Sequence, residues 1–294
     1  MLQGAFTALI TPFKDGEVDY DALRKLVRFQ IENGINGLVP LGTTGETPTL
    51  HDNEKEKILK IVVEEAKGKV TIIAGAGSNS TEKSVKEAKR MKELGADYIL
   101  VAAPYYNKPT QEGIYQHFKA ICDAVDIPIV VYNIKGRTGV NIETSTLLRL
   151  SRMKNIVAVK EASGDIGQMM DVIDQLPKDF SVLSGDDALT LPLIACGGRG
   201  IISVASNIVP DKMAEMAKYA NEGNFELARV IHYELLDFFK VEFVETNPIP
   251  IKYAASLMGL CREEYRLPMC SMQDSNKAKM KVSLEKLGLK CSCH

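Results

Sequence analysis

The sequence predicts a closed (β/α)8 barrel of the TIM type, an α/β fold, with a C-terminal helical extension. Three observations carry that prediction. Eight short β-branched runs alternate with longer amphipathic segments, their spacing is nearly even, and the runs are apolar throughout. Continuous apolarity is what strands covered on both faces require, as in a parallel sheet. A doubly wound open sheet could carry the same alternation, and the count of eight favours closure.

In chain order the candidate strands are AFTALIT (5–11), GLVPLG (37–42), VTIIAGAG (70–77), YILVAAP (98–104), PIVVYNI (128–134), IVAVKEA (156–162), SVLSGDD (181–187) and GIISVAS (200–206). Between the first two, DYDALRKLVRFQIENG repeats Leu23, Leu26 and Val27 at i, i+3 and i+4, and Gly34 reads as the stop. Segments 53–68 and 81–95 repeat the design: charged outer face, apolar inner face, terminal glycine. Beyond residue 207 no strand pattern recurs. The segments there read as the last barrel helix and then a helical appendage that covers barrel surface or a subunit contact. The expected division is a barrel over 1–223 and a helical region over 224–294.

A chain of 294 residues with 45% hydrophobic content supports a large core. Net charge is −2 with both signs interspersed, which offers no footprint for nucleic acid or an anionic membrane. No stretch reaches the roughly 20 apolar residues of a spanning helix, and MLQGAFTALITPF lacks a basic leader and a cleavage site. The expectation is a cytoplasmic protein acting on small molecules. Of six cysteines, Cys122 and Cys196 are expected as buried thiols. The tail CSCH, residues 291–294, holds three soft ligands, one short of a structural zinc site unless Cys261 or Cys270 comes near, and reads as an untidy terminus. The four histidines fall in no ligand frame. Asp186 and Asp187 could ligate a divalent cation, but acids just before a helix read first as caps.

In such a barrel the C-terminal ends of the strands build the active site. Polar and glycine residues gather at those ends: GTTGE, GAGSN, PYYNKP, YNIKGRTG, KEASGD, SGDD and SVASN. GAGSN lacks the dinucleotide-binding spacing, and the glycines of ACGGRG precede strand eight, the wrong end for a phosphate clamp.

Lys160 stands out in NIVAVKEASGD. A lysine held inside an apolar barrel mouth has a depressed pKa, and a neutral amine can attack a ketone to form a Schiff base. The bland alternative is a strand-end lysine whose stem carries its ammonium out to solvent. Gly42 and Gly45 bracket Thr43 and Thr44 in a turn whose amides and hydroxyls can converge on a carboxylate. Tyr132 precedes the strand-five loop, and Arg137, close to the barrel mouth, offers a fork that suits a bidentate carboxylate. Gly185 and Val204, at the ends of strands seven and eight, join Thr43, Thr44 and Arg137 as candidate substrate-binding residues.

Lys160, Tyr132, GTTGE and GRTG together resemble the pyruvate-dependent class I lyases and synthases typified by dihydrodipicolinate synthase and N-acetylneuraminate lyase. The resemblance spans residues 1 to about 290 in length, element order and motif position. It implies a homotetramer built as a dimer of dimers, with Lys160 as the Schiff-base lysine, Tyr132 as the strand-five tyrosine and Thr43 with Thr44 as the carboxylate-binding pair. It further implies a proton relay from Tyr132 through the second threonine, Thr44, to Tyr106 lent across the tight-dimer interface. Arg137 matches the arginine that receives the second substrate's carboxylate. The Thr-Thr pair and the Arg-Thr-Gly triplet favour the synthases over the sialic acid and sugar-acid lyases.

The activity so implied is condensation of pyruvate with L-aspartate 4-semialdehyde, a step of lysine and diaminopimelate biosynthesis. The lysine itself is the covalent catalyst, so neither cofactor nor metal is expected. A 2-keto-3-deoxy sugar acid aldolase or an N-acetylneuraminate lyase-like enzyme would use the same imine, and a catalytically inactive pyruvate-binding protein would keep the site without turnover. One departure from the family pattern is Lys135, where relatives commonly carry proline. Proline would stiffen the turn, so Lys135 and Gly136 predict a looser presentation of Arg137. A second departure concerns feedback. Lys55 and Lys83 stand where lysine-sensitive relatives place histidine and glutamate, beside Tyr105 and Asn79. Two added cations repel a cationic ligand, which predicts weak or absent inhibition by lysine.

Overall fold

The computed structural model describes residues 1–289; the CSCH tail lies outside the described residues. Eight parallel strands close into a barrel: β1 (Gly4–Ala8), β2 (Gly37–Val39), β3 (Thr71–Gly75), β4 (Tyr98–Ala102), β5 (Ile129–Asn133), β6 (Ile156–Glu161), β7 (Ser181–Ser184) and β8 (Gly200–Ser203). Each pairs with its chain neighbours, and β8 returns to β1 with Gly4 opposite Gly200. A two-residue hairpin, Phe13–Lys14 with Glu17–Val18, follows β1.

The helices after successive strands are α1 (Tyr20–Glu32), α2 (Asp52–Ala66), α3 (Thr81–Glu93), α4 (Gln111–Ala124), α5 (Thr144–Leu150), α6 (Ile166–Gln175), α7 (Thr190–Ala195) and α8 (Pro210–Asn221). Their starts follow capping chemistry. The side chains of Asp19, Ser80 and Thr110 accept from the backbone of α1, α3 and α4, each cap worth about 1 kcal/mol. Helix α1 buries Leu23, Leu26 and Val27, the stripe its periodicity marked.

Two apolar clusters follow from strand alternation. The lumen holds Phe6, Ala8, Val39, Ile73, Leu100, Val130, Tyr132, Ala158, Leu183 and Ile202, while the opposite strand faces pack under the helices. Three further helices, α9 (Phe225–Val241), α10 (Ile249–Leu257) and α11 (Asp274–Lys286), form the extension. Leu235, Phe238, Ile251 and Met280 from these helices belong to the same outer cluster as the barrel helices. The extension therefore shares the barrel's core instead of building its own. Its link to the mouth is explicit: Arg266 forks onto Glu54 at 2.7 and 2.6 Å, holding the segment between α10 and α11 against the start of α2.

The cysteines differ from expectation. Cys122 is half-buried and Cys196 is exposed. Cys196 is the C-cap of the short α7, just before Gly197 and Gly198, so it lies past the helix's buried face.

Candidate active site

Lys160 reaches the lumen through an irregularity in β6. Ile129 of β5 pairs with Ile156, but Val130 pairs with Ala158, so Val157 is an extra residue on β6. The insertion shifts the alternation by one. Ala158 then joins the lumen cluster, Val159 packs outward, and Lys160 faces inward opposite Tyr132. Lys160 as a residue is 6% exposed, and its ammonium lies 4.4 Å from the centroid of the Tyr132 ring. No carboxylate forms an ion pair with it among the described residues. The stem does not carry the charge to solvent, which removes the bland reading of this lysine. Burial lowers its pKa to about 8, opposed by the Asp187 carboxylate and reinforced by the Arg137 guanidinium.

Gly185 follows β7 and makes room for that side chain. A Cβ there would sit 2.7 Å from the Ala162 Cβ and 3.0 Å from the Lys160 Cε. Its amide bonds to Glu161 O at 2.8 Å. Glycine is thus required by close packing against Lys160.

Tyr132 is buried at the mouth end of β5. Burial pushes its phenol up to about 12, against the opposing effects of Arg137 and a side-chain hydrogen bond with Thr43. The tyrosine therefore holds its proton at neutral pH. Thr43, Thr44 and Gly45 form a single 3-10 turn after β2. Gly45 and Glu46 spend their amides on Gly42 O and Thr43 O, whereas the amides of Thr43 and Thr44 meet no acceptor among the described residues. Two free amides at the start of such a turn suit a carboxylate. The loop is held against β3, where a Cβ on Gly75 would fall 1.9 Å from Leu41 O.

The structure divides the two threonines differently from the sequence-based relay. Thr43 is the residue beside Tyr132 and lines the cavity. The Thr44 hydroxyl is buried and accepts from Asn247 Nδ2 at 2.9 Å. The reason is local: consecutive residues of a 3-10 turn point about a third of a turn apart, so both hydroxyls cannot face one partner. Thr44 is accordingly a loop anchor in this structure.

Arg137 sits on a single helical turn, Lys135–Thr138, closed by Gly139 in the left-handed conformation at φ 76°. Thr138 Oγ1 donates to Ile134 O at 2.9 Å and lies 2.9 Å from Val140 O, so the turn is defined without the family proline. One Arg137 nitrogen donates to Asn247 O at 3.1 Å.

Asn247 thus touches both the GTTGE loop and the arginine, and the sequence reading missed it. Its signal was present as NPIP, an Asn-Pro turn interrupting a helical pattern. With Pro248, Pro268 and Met269 it lines a cavity of about 660 Å³ shared with Thr43, Tyr132 and Arg137. The extension does not merely cover barrel surface; it completes the rim of the mouth.

Two expected residues lie elsewhere. Val204 packs in the outer cluster because β8 ends at Ser203 and the chain turns at φ −91°, ψ −45°; Ile202 is the residue of that strand facing the lumen. Tyr106 is 88% exposed with φ 72° and does not meet Tyr132 or Thr43 within one chain. The two aspartates also part. Asp186 caps the next turn by accepting from Ala188 N at 3.0 Å, whereas Asp187 is buried and bonds to β8. No group of three or more His, Cys, Asp or Glu able to hold a metal ion occurs among the described residues.

Residues 1–287 match the dihydrodipicolinate synthetase family. The 4-hydroxy-tetrahydrodipicolinate synthase of Endomicrobium trichonymphae is 51% identical over 290 residues, covering 98% of this chain and 99% of that protein. The same-named enzyme of Koribacter versatilis is 54% identical over 287 residues, covering 97% and 96%. The crystal structure of dihydrodipicolinate synthase from Aquifex aeolicus superposes with a TM-score of 0.97 at 48% identity, covering 99% of this chain and 100% of that one. With matches of that extent added to a closed barrel that buries a lysine against a tyrosine at its mouth, the chain belongs to the dihydrodipicolinate synthetase family.

Proposed function

We propose that the protein condenses pyruvate with L-aspartate 4-semialdehyde to give 4-hydroxy-tetrahydrodipicolinate. The observation that carries this reading is the buried ammonium of Lys160, without an ion-pair partner among the described residues, against Tyr132, the tyrosine beside Thr43 of the GTTGE turn. The amides of Thr43 and Thr44 receive the carboxylate of pyruvate. A pKa of about 8 leaves a useful fraction of Lys160 neutral near neutral pH, and that amine attacks the keto carbon. Tyr132, which holds its proton, donates to the departing hydroxyl as water leaves. Loss of a methyl proton gives the enamine, whose carbon attacks the aldehyde. Arg137 receives the partner's carboxylate. The partner's amine then displaces Lys160 as the ring closes, so one water is released overall.

Thr43 continues the proton path from Tyr132, and Tyr106 of a second copy extends it. The exposure and left-handed backbone of Tyr106 support a role across an interface. A homotetramer follows as the expected assembly, although one solved relative, 45% identical, is described as a monomeric variant. A cytoplasmic location is consistent with the lack of any described helix long and apolar enough to cross a membrane. A relative from Cyanidioschyzon merolae is described with lysine bound. Here Lys55 and Lys83 line the cavity beside Tyr105, which supports weak or absent inhibition by lysine.

Incubation with pyruvate and borohydride, followed by intact mass and peptide mapping, tests the reading. A single reduced pyruvyl adduct on Lys160 is expected, and folded protein without one refutes it. Turnover of aspartate semialdehyde against 2-keto-3-deoxygluconate then fixes the partner.

A further inference from the structure

Behind Lys160 and Tyr132 the next residues of the same two strands also meet. In the β5–β6 ladder Tyr132 stands opposite Lys160 and Asn133 opposite Glu161, and both strands end on that last rung. Alternation turns the second pair to the outer face. Both residues are wholly buried, and neither lines the cavity. Asn133 Nδ2 donates to the Glu161 carboxylate, 3.1 Å from Oε2 and 3.4 Å from Oε1.

That bond is the centre of a network. Glu161 Oε1 accepts from Ser163 N at 2.7 Å, and Oε2 accepts from Gln168 Nε2 of α6 at 3.3 Å. Asn133 Oδ1 accepts from Ile142 N at 2.9 Å, and its Nδ2 also reaches Asn141 Oδ1 at 2.9 Å. Asn141 in turn donates to Gln168 Oε1 at 2.7 Å. The ends of β5 and β6, the loop before α5 and the first turn of α6 are thereby tied together. Among the described residues no cation pairs with Glu161, which is held by amide donors alone. A buried carboxylate without a cation is a costly way to fill a core. Two residues earlier on the same strand faces, Val131 and Val159 fill it with apolar side chains.

The position explains the cost. Past the extra residue at Val157, four rungs, from Val130–Ala158 to Asn133–Glu161, fix the alignment of β5 with β6 at the mouth. A slip of one residue there would turn Lys160 out of the lumen, and a smaller displacement would part its amine from the phenol. A side-chain bond on the final rung, adjoining the reacting pair, opposes both. We infer that Asn133 and Glu161 are positioning residues for the reaction, whose mutual hydrogen bond holds the Tyr132 phenol in line with the Lys160 amine. They act through the residues before them and touch no substrate. The inference rests on the imine reading above and adds what keeps amine and phenol in register.

The test follows imine formation in time. Protein and pyruvate are mixed, quenched with borohydride at intervals, and the adduct is measured by intact mass over a range of pyruvate concentrations. Asn133→Asp sets two carboxyl groups face to face where a bond stood. Its maximal rate of imine formation is expected to fall about 10²-fold, the loss that a misplacement of about 1 Å brings. The pyruvate concentration giving half that rate should stay within about threefold of wild type, because the Thr43 and Thr44 amides are untouched. Adding Glu161→Gln restores a donor and an acceptor across the rung with the polarity reversed, and the double variant should recover about tenfold of the lost rate. A role in stability alone would lower the melting temperature of Asn133→Asp and leave the rate of its folded form at the wild-type value. That result overturns the inference, as does a double variant no faster than the single one. If Asn133→Asp does not fold, Glu161→Gln alone decides, since its amide turns a second donor towards Asn133. A rate about tenfold below wild type then supports the assignment, and an unchanged rate overturns it. Wild type without any adduct would instead refute the imine reading, so the two failures are distinct.

Discussion

Lys160 in VAVKEA and Lys252 in IPIKYA pose the same problem to the chain: a lysine inside an apolar run that the fold buries. Lys252, on α10, is fully buried and pairs with Glu46 at 2.6 Å, with the rings of Phe13 and Tyr265 4.2 and 5.0 Å away. Glu46 also accepts from Arg266 N at 3.3 Å, so this pair locks the extension to the GTTGE loop. Lys160 has an aromatic neighbour too, but its nearest acids lie beyond ion-pair distance. Burial lowers both pKa values, and only at Lys252 does an adjacent carboxylate oppose it directly. The difference teaches that a compensated buried lysine builds structure, whereas an uncompensated one keeps a reactive amine.

The largest effect that tests this contrast is on chemistry. Lys160→Met is expected to abolish the pyruvyl adduct and reduce turnover by about 10⁴-fold or more, whereas Lys252→Met, where folded, retains the adduct. An adduct on the Lys160 variant breaks the comparison. Tyr132→Phe comes next, with an expected loss of about 10²- to 10⁴-fold in kcat and a retained adduct; steady-state kinetics near the wild-type value would remove the tyrosine from proton transfer.

Stability should change in opposite directions at the two sites. Lys252→Met leaves the Glu46 carboxylate buried and unpaired, destabilising by about 3–5 kcal/mol, and adding Glu46→Gln should recover part of the loss in urea unfolding. Lys160→Met should stabilise at pH 7 by up to about 3 kcal/mol. The sign follows from linkage. The folded pKa of about 8 lies below the ordinary 10.5, so between those values the unfolded chain binds a proton that the folded chain does not. Stability conferred by the wild-type residue rises with pH across that window, and its penalty is fully present below it. Equal and same-signed changes at both lysines would end the distinction.

The smallest effect is kinetic. The rate of imine formation in wild type should rise with pH up to about 8 and level off above, as the Lys160 amine loses its proton. A flat stopped-flow profile from pH 6 to 9 would show that amine ionisation does not limit the step.

Much of this was readable in one dimension. Eight strands, their order and the polarity of their C-terminal ends follow from apolar runs and turn residues, because a parallel strand buried on both faces leaves a local composition signal. Lys160, Tyr132, Thr43, Arg137 and Gly185 were legible as polar or glycine residues breaking that pattern. Other features were not, since each depends on partners far apart in sequence. Asn247 reaches Thr44 across 203 positions and Lys252 reaches Glu46 across 206.

The sequence by itself determined the barrel, its polar end and which lysine breaks an apolar strand. Tertiary structure alone decided which way that lysine points, through the extra residue at Val157, and which threonine faces Tyr132. It also decided that Lys160 has no ion-pair partner among the described residues while Lys252 has one. Periodicity is a property of neighbouring residues, whereas burial, pairing and the resulting charge state are set by whatever the closed barrel brings alongside.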